Sequence, residues 1–465
     1  MRASLGLLWT PKEECRADPS AVGLFQLAIP FFLESLLRST VGLVNVAFLS
    51  HVSDNAVNAV SVANQYIQVC QTLATAVATG TMVCLNQAIG MKNWTKVNCL
   101  ATIAFSANLM LGIGFGLIFL LFSDKLLGLM QLASESITFA RSYMQISGGC
   151  MAFQCMEIIS ENIVRSIGHT RTPFAINIVV NTINIFLCYL VIFQPIPIAI
   201  DPVTGIAFSS VISRIVGSLI AFQVVKQTQI KISAHYLKPF PWIQLKLALS
   251  IGIPSGFNNL AYSLSQLMTT SIITLAGEMM VTAKVYVSNL VQYIALVGMA
   301  FAHASTIMVG YRVGAGKFDE AKQICKLVLK IVLLSNAFFS LLLILFRVPL
   351  LHLFTQSAEI IQLATGILLI DFVVELGRAM NNSLSGVLQA TGDVKYQFVV
   401  NQASGWVVAV GGAYVLGILL KGNLYGIWVA FALDELTRGF ILLNRWHKDK
   451  WLANAVAKLS SIRGT

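Results

Sequence analysis

Long apolar stretches separated by short polar connections run along the whole chain, and twelve of them are of transmembrane length. A helix needs about 20 residues to cross a hydrocarbon core of about 30 Å. The predicted helices cover residues 21–50, 56–88, 95–123, 134–166, 171–194, 203–226, 243–275, 280–311, 319–346, 358–389, 395–420 and 423–444. The pattern therefore predicts an all-α polytopic membrane protein.

The second half of the chain repeats the first at a constant offset of 224 residues. Pro30 corresponds to Pro254, and Gly168 corresponds to Gly392. Because each half holds an even number of helices, both halves keep one orientation, and a pseudo-twofold axis along the membrane normal is expected. The predicted parts are an N-terminal six-helix bundle at 1–226, a cytoplasmic linker at 227–242 and a C-terminal six-helix bundle with a short cytoplasmic tail at 243–465.

Composition and charge agree with a membrane location. Charged residues make up 11% of the chain, against about 25% in soluble domains, and the mean hydropathy is +0.76. The net charge of +11 comes from Lys and Arg in every second connection. The positive-inside rule then places both termini and the linker in the cytoplasm. This topology accounts for the charge, so we expect a multi-pass plasma-membrane protein and no nucleic-acid partner.

Motifs of enzymes and ATP-driven pumps are missing from the sequence. The segment GYRVGAGK at 310–317 lacks the spacing of a phosphate-binding loop, and no HExxH or GxSxG occurs. The eight cysteines form no CxxC pair. We therefore expect a transporter rather than an enzyme. It would need no cofactor and would use a gradient of H⁺ or Na⁺ as its source of energy, and no metal is expected other than Na⁺ as that coupling ion.

Charged side chains lie inside four of the predicted helices, where a charge costs about 2.5–3.5 kcal/mol on insertion scales. They are Glu34 and Arg38 in the first helix, Glu157, Glu161 and Arg165 in the fourth, Asp371, Glu375 and Arg378 in the tenth, and Asp434, Glu435 and Arg438 in the twelfth. One interpretation is that each acid pairs with a base three or four residues further along its own helix. The other is a site for a proton or cation, for which Glu34 and Glu375 lead.

Amide and aromatic side chains form a polar seam along several helices. Its members include Asn64, Asn184, Asn258, Tyr262 and Asn382. Two interpretations stay open: hydrogen bonds between helices, or the lining of a water-filled cavity between the halves.

Several motifs resemble those of multidrug and toxic compound extrusion (MATE) transporters. The stretch from Pro30 to Val44-Asn45-Val46 resembles the family's first helix, and NQAIG at 86–90 resembles the end of its second. VRSIGHTRTP and LQATGDV are similar to the paired endings of its fourth and tenth helices, and 426–451 resembles the twelfth-helix ending of a Gram-positive bacterial branch. The resemblance covers nearly the whole chain.

This resemblance implies two six-helix bundles arranged as a V around a central cavity. It also implies export of small organic, often cationic, compounds in exchange for H⁺ or Na⁺. The family's usual coupling acids are replaced, by Asn45 in the first helix, Cys188 four residues after the retained Asn184, and Tyr262 in the seventh. Its tenth-helix Asp falls near Arg378. Coupling would then pass to Glu34, Glu375 or Asp371.

The predicted function is a monomeric secondary transporter in the lipid bilayer that works by alternating access. The alternative is a flippase for a lipid-linked or amphiphilic precursor, for which Arg38 and Arg378 are the best support. The candidate binding residues are Glu34, Arg38, Asn45, Asn64, Asn184, Asn258, Tyr262, Asp371, Glu375, Arg378, Asn382 and Asp434.

Overall fold

The computed structural model describes residues 18–50, 52–128, 134–193 and 201–463. All regular secondary structure in these ranges is helical. The first six long helices are α1 (Ala21–Ser50), α2 (Asp54–Gly90), α3 (Trp94–Gly128), α4 (Ser134–Tyr143, Met144–Gly148 and Met151–Ser166), α5 (Arg171–Phe193) and α6 (Pro202–Gln227). The next six are α7 (Trp242–Ala276), α8 (Glu278–Gly314), α9 (Phe318–Leu345), α10 (Ala358–Thr391), α11 (Val394–Ser404, Gly405–Gly411 and Ala413–Leu419) and α12 (Asn423–His447).

Three shorter helices complete the described chain: Ala234–Leu237, Arg347–His352 and α13 (Lys450–Arg463). The twelve predicted helices therefore exist, with ends within three residues of those expected, except that α3 runs on to Gly128. The sequence did not predict that α4 and α11 contain π-helical turns. The segment that was predicted to be a tail folds as α13.

Among the described residues, nine helices are long and apolar enough to cross a membrane. The three long helices outside this group are α4, α7 and α12. Their sequences carry many polar or charged residues, including Glu157 and Glu161 in α4 and Asp434 and Glu435 in α12. A charged span is stable in a bilayer only where its polar side chains face protein or water, so these helices mark where such surroundings are expected.

The chain folds into two compact units. The N-terminal unit contains the described residues of Leu33–Ile253, and the C-terminal unit contains residues 18–32 and 254–463. The dividing points fall inside α1 and α7, within three residues of Pro30 and next to Pro254. A proline inside a helix removes one backbone hydrogen bond and allows a kink, so the direction of each helix can change there.

In the N-terminal unit, the first part of α7 crosses α2 at a very small separation. A Cβ atom on Gly80 would lie 2.2 Å from the carbonyl oxygen of Ala248, and a Cβ on Gly252 would lie 2.3 Å from that of Ala76. Only glycine allows this approach at both positions. The contact fixes the first part of α7 to the N-terminal unit.

In the C-terminal unit, the first part of α1 occupies the position that the first part of α7 occupies in the N-terminal unit. At the 224-residue offset, Gly252 corresponds to Ala28 and Gly80 to Ala304, and both alanines are completely buried. Nearby, the ring of Phe25 meets that of Phe301 edge-on at 5.2 Å. Small residues therefore occupy the equivalent helix crossing in both repeats.

One helix lies at the centre of each unit. In the N-terminal unit α4 packs against α2, α3 and α6, and in the C-terminal unit α10 packs against α8, α9 and α12. Each central helix carries buried acids, which are Glu157 and Glu161 in α4 and Asp371 and Glu375 in α10. The fold therefore places the acids of these two helices inside the bundles.

Candidate functional site

Glu34 of α1 is held by two arginines from different helices in the N-terminal unit. A single Nη2 atom of Arg165 donates to both of its carboxylate oxygens, at 2.8 and 2.9 Å, and Nη2 of Arg38 donates to Oε1 at 3.0 Å. The same nitrogen of Arg165 lies 3.0 Å from Oε2 of Glu161. Asn177 of α5 donates to the other oxygen of Glu161 at 2.7 Å. Glu34 is thus neutralised from two sides.

Glu157 extends this cluster one helical turn along α4. Its partner is Arg214 of α6, with Nη1 at 3.3 Å from Oε2, rather than a base on its own helix as the spacing had led us to expect. The absence of a side chain at Gly217 makes room for Glu157, because a Cβ there would lie 2.6 Å from Oε1. Among the described residues, Oε1 has no hydrogen-bond partner.

These contacts define the N-terminal cluster: Glu34, Arg38, Glu157, Glu161, Arg165 and Arg214. It contains as many guanidinium groups as carboxylates. Its formal charge is therefore zero, which is the condition that a buried ionic network needs to avoid an uncompensated charge.

A second group of charges surrounds α10 in the C-terminal unit. The fully buried Glu375 pairs with Arg378, and Nδ2 of Asn336 on α9 donates to its Oε2 at 3.1 Å. Asp371, one turn earlier, accepts a 2.9 Å hydrogen bond from the indole Nε1 of Trp428 on α12. The pairing of Glu375 agrees with the sequence pattern. The partner of Asp371 is an indole rather than a base, so the spacing of acids and bases in the sequence does not reveal it.

Two further acids join this group from α12. Arg438 donates to Asp434 at 2.5 Å and to Glu435 at 2.9 Å. Asp434 also accepts a 2.6 Å hydrogen bond from the hydroxyl of Ser404 on α11. Glu435 accepts from Asn381 of α10 at 3.0 Å.

Arg378 joins the two parts of the group, because its Nε lies 3.7 Å from Oε1 of Glu435. We call this set the C-terminal cluster: Asp371, Glu375, Arg378, Asp434, Glu435 and Arg438. With every group in its ordinary charge state, four carboxylates face two guanidiniums. The cluster then has a formal charge of −2.

The excess acids are specific to the second repeat. At the 224-residue offset, Asp371, Glu375, Asp434 and Glu435 correspond to the uncharged residues Ser147, Met151, Ser210 and Val211. By contrast, Arg438 corresponds to Arg214, so this base occurs in both halves. The C-terminal cluster is therefore not a simple copy of the N-terminal one.

The predicted amides Asn64 and Asn184 of the N-terminal half bond to hydroxyl groups rather than to charged side chains. Asn64 accepts a 3.3 Å hydrogen bond from the hydroxyl of Tyr143, and Asn184 donates to Ser210 at 3.4 Å. Oδ1 of Asn45 is buried and finds no hydrogen-bond partner among the described residues. Each of the first two joins neighbouring helices, which agrees with the first interpretation of the polar seam.

In the C-terminal half, Asn258 of α7 accepts from Gln402 of α11 at 3.1 Å. Asn382 lies beside Gly298 of α8. Tyr262 is exposed over nearly half of its surface and lies within electrostatic range of Arg378 and Arg438. Of these three, Tyr262 is the one associated with the C-terminal cluster.

Sequence reasoning left several members of the clusters out of its binding-site candidates. Arg165, Glu435 and Arg438 are charged residues of the predicted helices but not candidate binding residues, and Asn336 and Trp428 are in neither group. Asn336 is a fully buried amide in an otherwise apolar stretch of α9, which is a signal in the sequence. No signal identifies Trp428, because its partner lies 57 residues away.

Comparison with known proteins identifies the family. The MatE family model matches the chain twice, at residues 30–190 and 254–415, which start 224 residues apart. The uncharacterized transporter YisQ of Bacillus subtilis is 31% identical over 435 residues, which cover 93% of this chain and 96% of that protein. A probable multidrug resistance protein NorM of Thermotoga maritima is 27% identical, with 98% of each chain covered.

The fold also matches solved structures. A crystal structure of a MATE protein in its bent conformation superposes with a TM-score of 0.87, at 19% identity, over 97% of this chain and 99% of that one. The described helices thus have the MATE fold, as the sequence predicted. With both repeats matched by the family model, the chain belongs to the MatE family of multi-pass membrane transporters and is not an enzyme.

Proposed function

We propose that the protein exports small organic compounds across the plasma membrane by antiport, and that the C-terminal cluster binds the coupling ion. The observation that supports this is the excess of two carboxylates in a buried, membrane-embedded group. A charge inside a bilayer is stable only when it is compensated. Binding of cations or protons supplies that compensation, so occupancy can select between two conformations of the transporter.

The surroundings of the acids favour H⁺ over Na⁺. Trp428, Asn336, Asn381 and Ser404 all present N–H or O–H donors to the carboxylates. A hard metal cation would have to replace these donors at the carboxylate oxygens, which are the ligands that it needs. A proton fits such a network, since a neutral carboxylic acid keeps an acceptor oxygen for the same donors.

Glu34 has a different role in this proposal from the one that its position in the sequence favoured. Arg165 and Arg38 already neutralise it within a cluster of zero formal charge. We therefore assign Glu34 to the stability of the N-terminal unit. Coupling is assigned to Glu375 and Asp371.

The topology is part of the proposal. We infer a monomer with both termini and the connection between α6 and α7 in the cytoplasm, from the distribution of Lys and Arg. A single cysteine placed at Lys231 or at Lys448 should react with an impermeant maleimide only when the reagent can reach the cytoplasmic side of the membrane. Labelling from the outside alone would refute this orientation.

Trp428 provides a test of ion binding that needs no substrate. Its indole contacts Asp371, so its fluorescence should change when the cluster gains or loses a proton. The purified protein would be titrated with pH at constant Na⁺ and with Na⁺ at constant pH. The Trp428→Phe variant would be measured in parallel, because the chain has seven tryptophans. We expect the fluorescence to change with pH, and we expect this change to be absent from the Trp428→Phe variant.

Transport itself would be measured in proteoliposomes with an imposed H⁺ or Na⁺ gradient. Rhodamine 6G would serve as a cationic probe and carboxyfluorescein as an anionic one. We expect accumulation of a probe to require the H⁺ gradient. Equal transport with and without both gradients would overturn the proposal of antiport.

A further inference from the structure

The N-terminal cluster is polarised across the surface of its unit. The side chains of Glu34, Glu157 and Glu161 are at most 9% exposed. The side chains of Arg38 and Arg214 are 67% and 42% exposed. Although the cluster is neutral overall, it therefore presents positive charge outward and keeps its negative charge inside.

Both exposed arginines lie within helices that can span a membrane. Arg38 is the eighteenth of the 30 residues of α1, and Arg214 is the thirteenth of the 26 residues of α6. An exposed guanidinium that faced the lipid core would be costly, so we expect both groups to face water instead. We therefore expect solutes to reach this surface of the N-terminal unit.

Acids of the N-terminal cluster hold both arginines. Arg38 is joined through Glu34 and Arg165 to Glu161, and Glu157, which binds Arg214, lies one turn from Glu161 on α4. Besides the carboxylate of Glu157, Arg214 has two neutral polar neighbours. Tyr143 lies within its electrostatic range, and Ser210 is one helical turn before it.

Each exposed guanidinium keeps most of its donors. A guanidinium has five N–H donors. Among the described residues, Arg38 donates one hydrogen bond to Glu34, and Arg214 donates one to Glu157. The buried carboxylates thus orient the two arginines and leave four donors on each for a ligand.

Duplication of the chain does not explain this arrangement. At the 224-residue offset, Glu34 corresponds to Asn258 and Arg38 to Tyr262. The exposed positive charge on α1 is therefore particular to the N-terminal unit.

We infer that Arg38 and Arg214 bind anionic groups of the transported molecule, namely carboxylates, sulfonates or phosphates. This inference rests on the proposed transport function and names the substrate class. Planar guanidiniums form paired, charge-assisted hydrogen bonds with such groups. It replaces the cationic substrate that the family resemblance implied. The anionic groups belong either to a soluble compound or to a lipid headgroup.

Binding would be measured on the purified full-length protein by fluorescence anisotropy. Carboxyfluorescein is the anionic probe, and rhodamine 6G is the cationic probe of similar shape. We expect carboxyfluorescein binding to weaken at least about tenfold in Arg38→Gln and in Arg214→Gln, because each change removes a charge-assisted contact. Arg38→Lys and Arg214→Lys keep the charge without the planar fork, and they should have intermediate affinity.

Arg141→Gln is the matched control. Arg141 is also an exposed arginine of the N-terminal unit and pairs with Asp124 at 3.0 Å, outside the cluster. Its substitution should leave binding of carboxyfluorescein unchanged. The melting temperature of each variant would show that it is folded, and the lysine variants keep the test decisive if a glutamine variant does not fold.

A second assay distinguishes the two sources of the anion. Proteoliposomes of phosphatidylcholine would carry NBD-labelled phosphatidylglycerol, or NBD-labelled phosphatidylcholine as a control, and dithionite would report translocation. Translocation of the labelled phosphatidylglycerol that requires Arg38 and Arg214 would identify a headgroup. Binding of carboxyfluorescein with no translocation of lipid would identify a soluble anion.

The inference is overturned if rhodamine 6G alone binds, or if neither anionic probe depends on Arg38 and Arg214. Such a result leaves the proposed coupling site intact, because the Trp428 signal arises in the C-terminal unit. Conversely, loss of the Trp428 signal with normal binding of carboxyfluorescein would refute the coupling site alone.

Discussion

Arg165 and Glu34 are 131 residues apart in the chain, yet one nitrogen of the guanidinium lies 2.8 and 2.9 Å from the two carboxylate oxygens. Both side chains are buried to the same extent. Arg165 also contacts Glu161. This single guanidinium therefore holds two buried acids and fixes α1 to α4 within the N-terminal unit.

Replacement of Arg165 by Gln should strongly destabilise the N-terminal unit. It leaves Glu161 without a cation and Glu34 with only the exposed Arg38, and breaking a buried pair costs about 3–5 kcal/mol. The melting temperature of the purified protein in detergent would measure the loss. Arg141→Gln breaks an exposed pair in the same unit and should cost no more than about 1 kcal/mol. Equal losses in both variants would contradict the structural role of Arg165.

Replacement of Glu375 by Gln should abolish gradient-driven transport without unfolding the protein. Glutamine keeps an oxygen that can accept from Asn336 but cannot take up a proton, and it removes one of the excess carboxylates. Accumulation of probe in proteoliposomes would measure the loss. Glu320→Gln is the control in the same unit, because Glu320 is a partly exposed partner of Arg312 at the start of α9. Normal accumulation by Glu375→Gln would shift the coupling role to Asp371 or Asp434.

Two substitutions of Asp371 separate the effect of its charge from the effect of its hydrogen bond. Asp371→Asn retains the oxygen that accepts from Trp428, so we expect near-normal stability together with impaired coupling. Asp371→Leu leaves the indole N–H buried without a partner, which costs about 1–3 kcal/mol. Melting temperatures of the two variants should therefore differ. Matching melting temperatures would show that the bond to Trp428 contributes little.

Gly377 should not tolerate a side chain. A Cβ there would lie 2.8 Å from Cβ of Glu435 and 2.9 Å from the backbone nitrogen of Leu436, where α10 meets α12. Gly377→Ala should therefore separate these helices and cost about 1–3 kcal/mol by overpacking. In Gly114→Ala the added methyl group meets open space, and a neutral change in melting temperature is expected.

The C-terminal helix α13 should depend on Asp393. This buried carboxylate accepts from Arg445 at 2.8 and 3.2 Å and from Asn454 of α13 at 2.7 Å. Asp393→Ala should release α13 and make the bond after Lys450 more sensitive to trypsin. Lys322→Gln removes the more exposed contact with Asp449 and should leave cleavage nearly unchanged. Unaltered cleavage of Asp393→Ala would refute this role.

The sequence by itself determined the helices, the repeat and the family. Apolar length is a local property of the chain, so the twelve helices could be placed without knowledge of their neighbours. The offset that relates Pro30 to Pro254 is likewise a property of the sequence alone, and the family model matched both repeats at that offset. Spacing of three or four residues also found the pairs within a helix, such as Glu375 with Arg378.

Only the tertiary structure decided which helices share their charges and which charges are exposed. Glu157 pairs with Arg214, Glu34 with Arg165, and Asp371 with Trp428, all between different helices. Helical periodicity gives the face of a residue on its own helix but not the helix that packs against it. The excess of acids in the C-terminal cluster and the exposure of Arg38 and Arg214 follow from that packing, because partners and solvent access are properties of the assembled bundle.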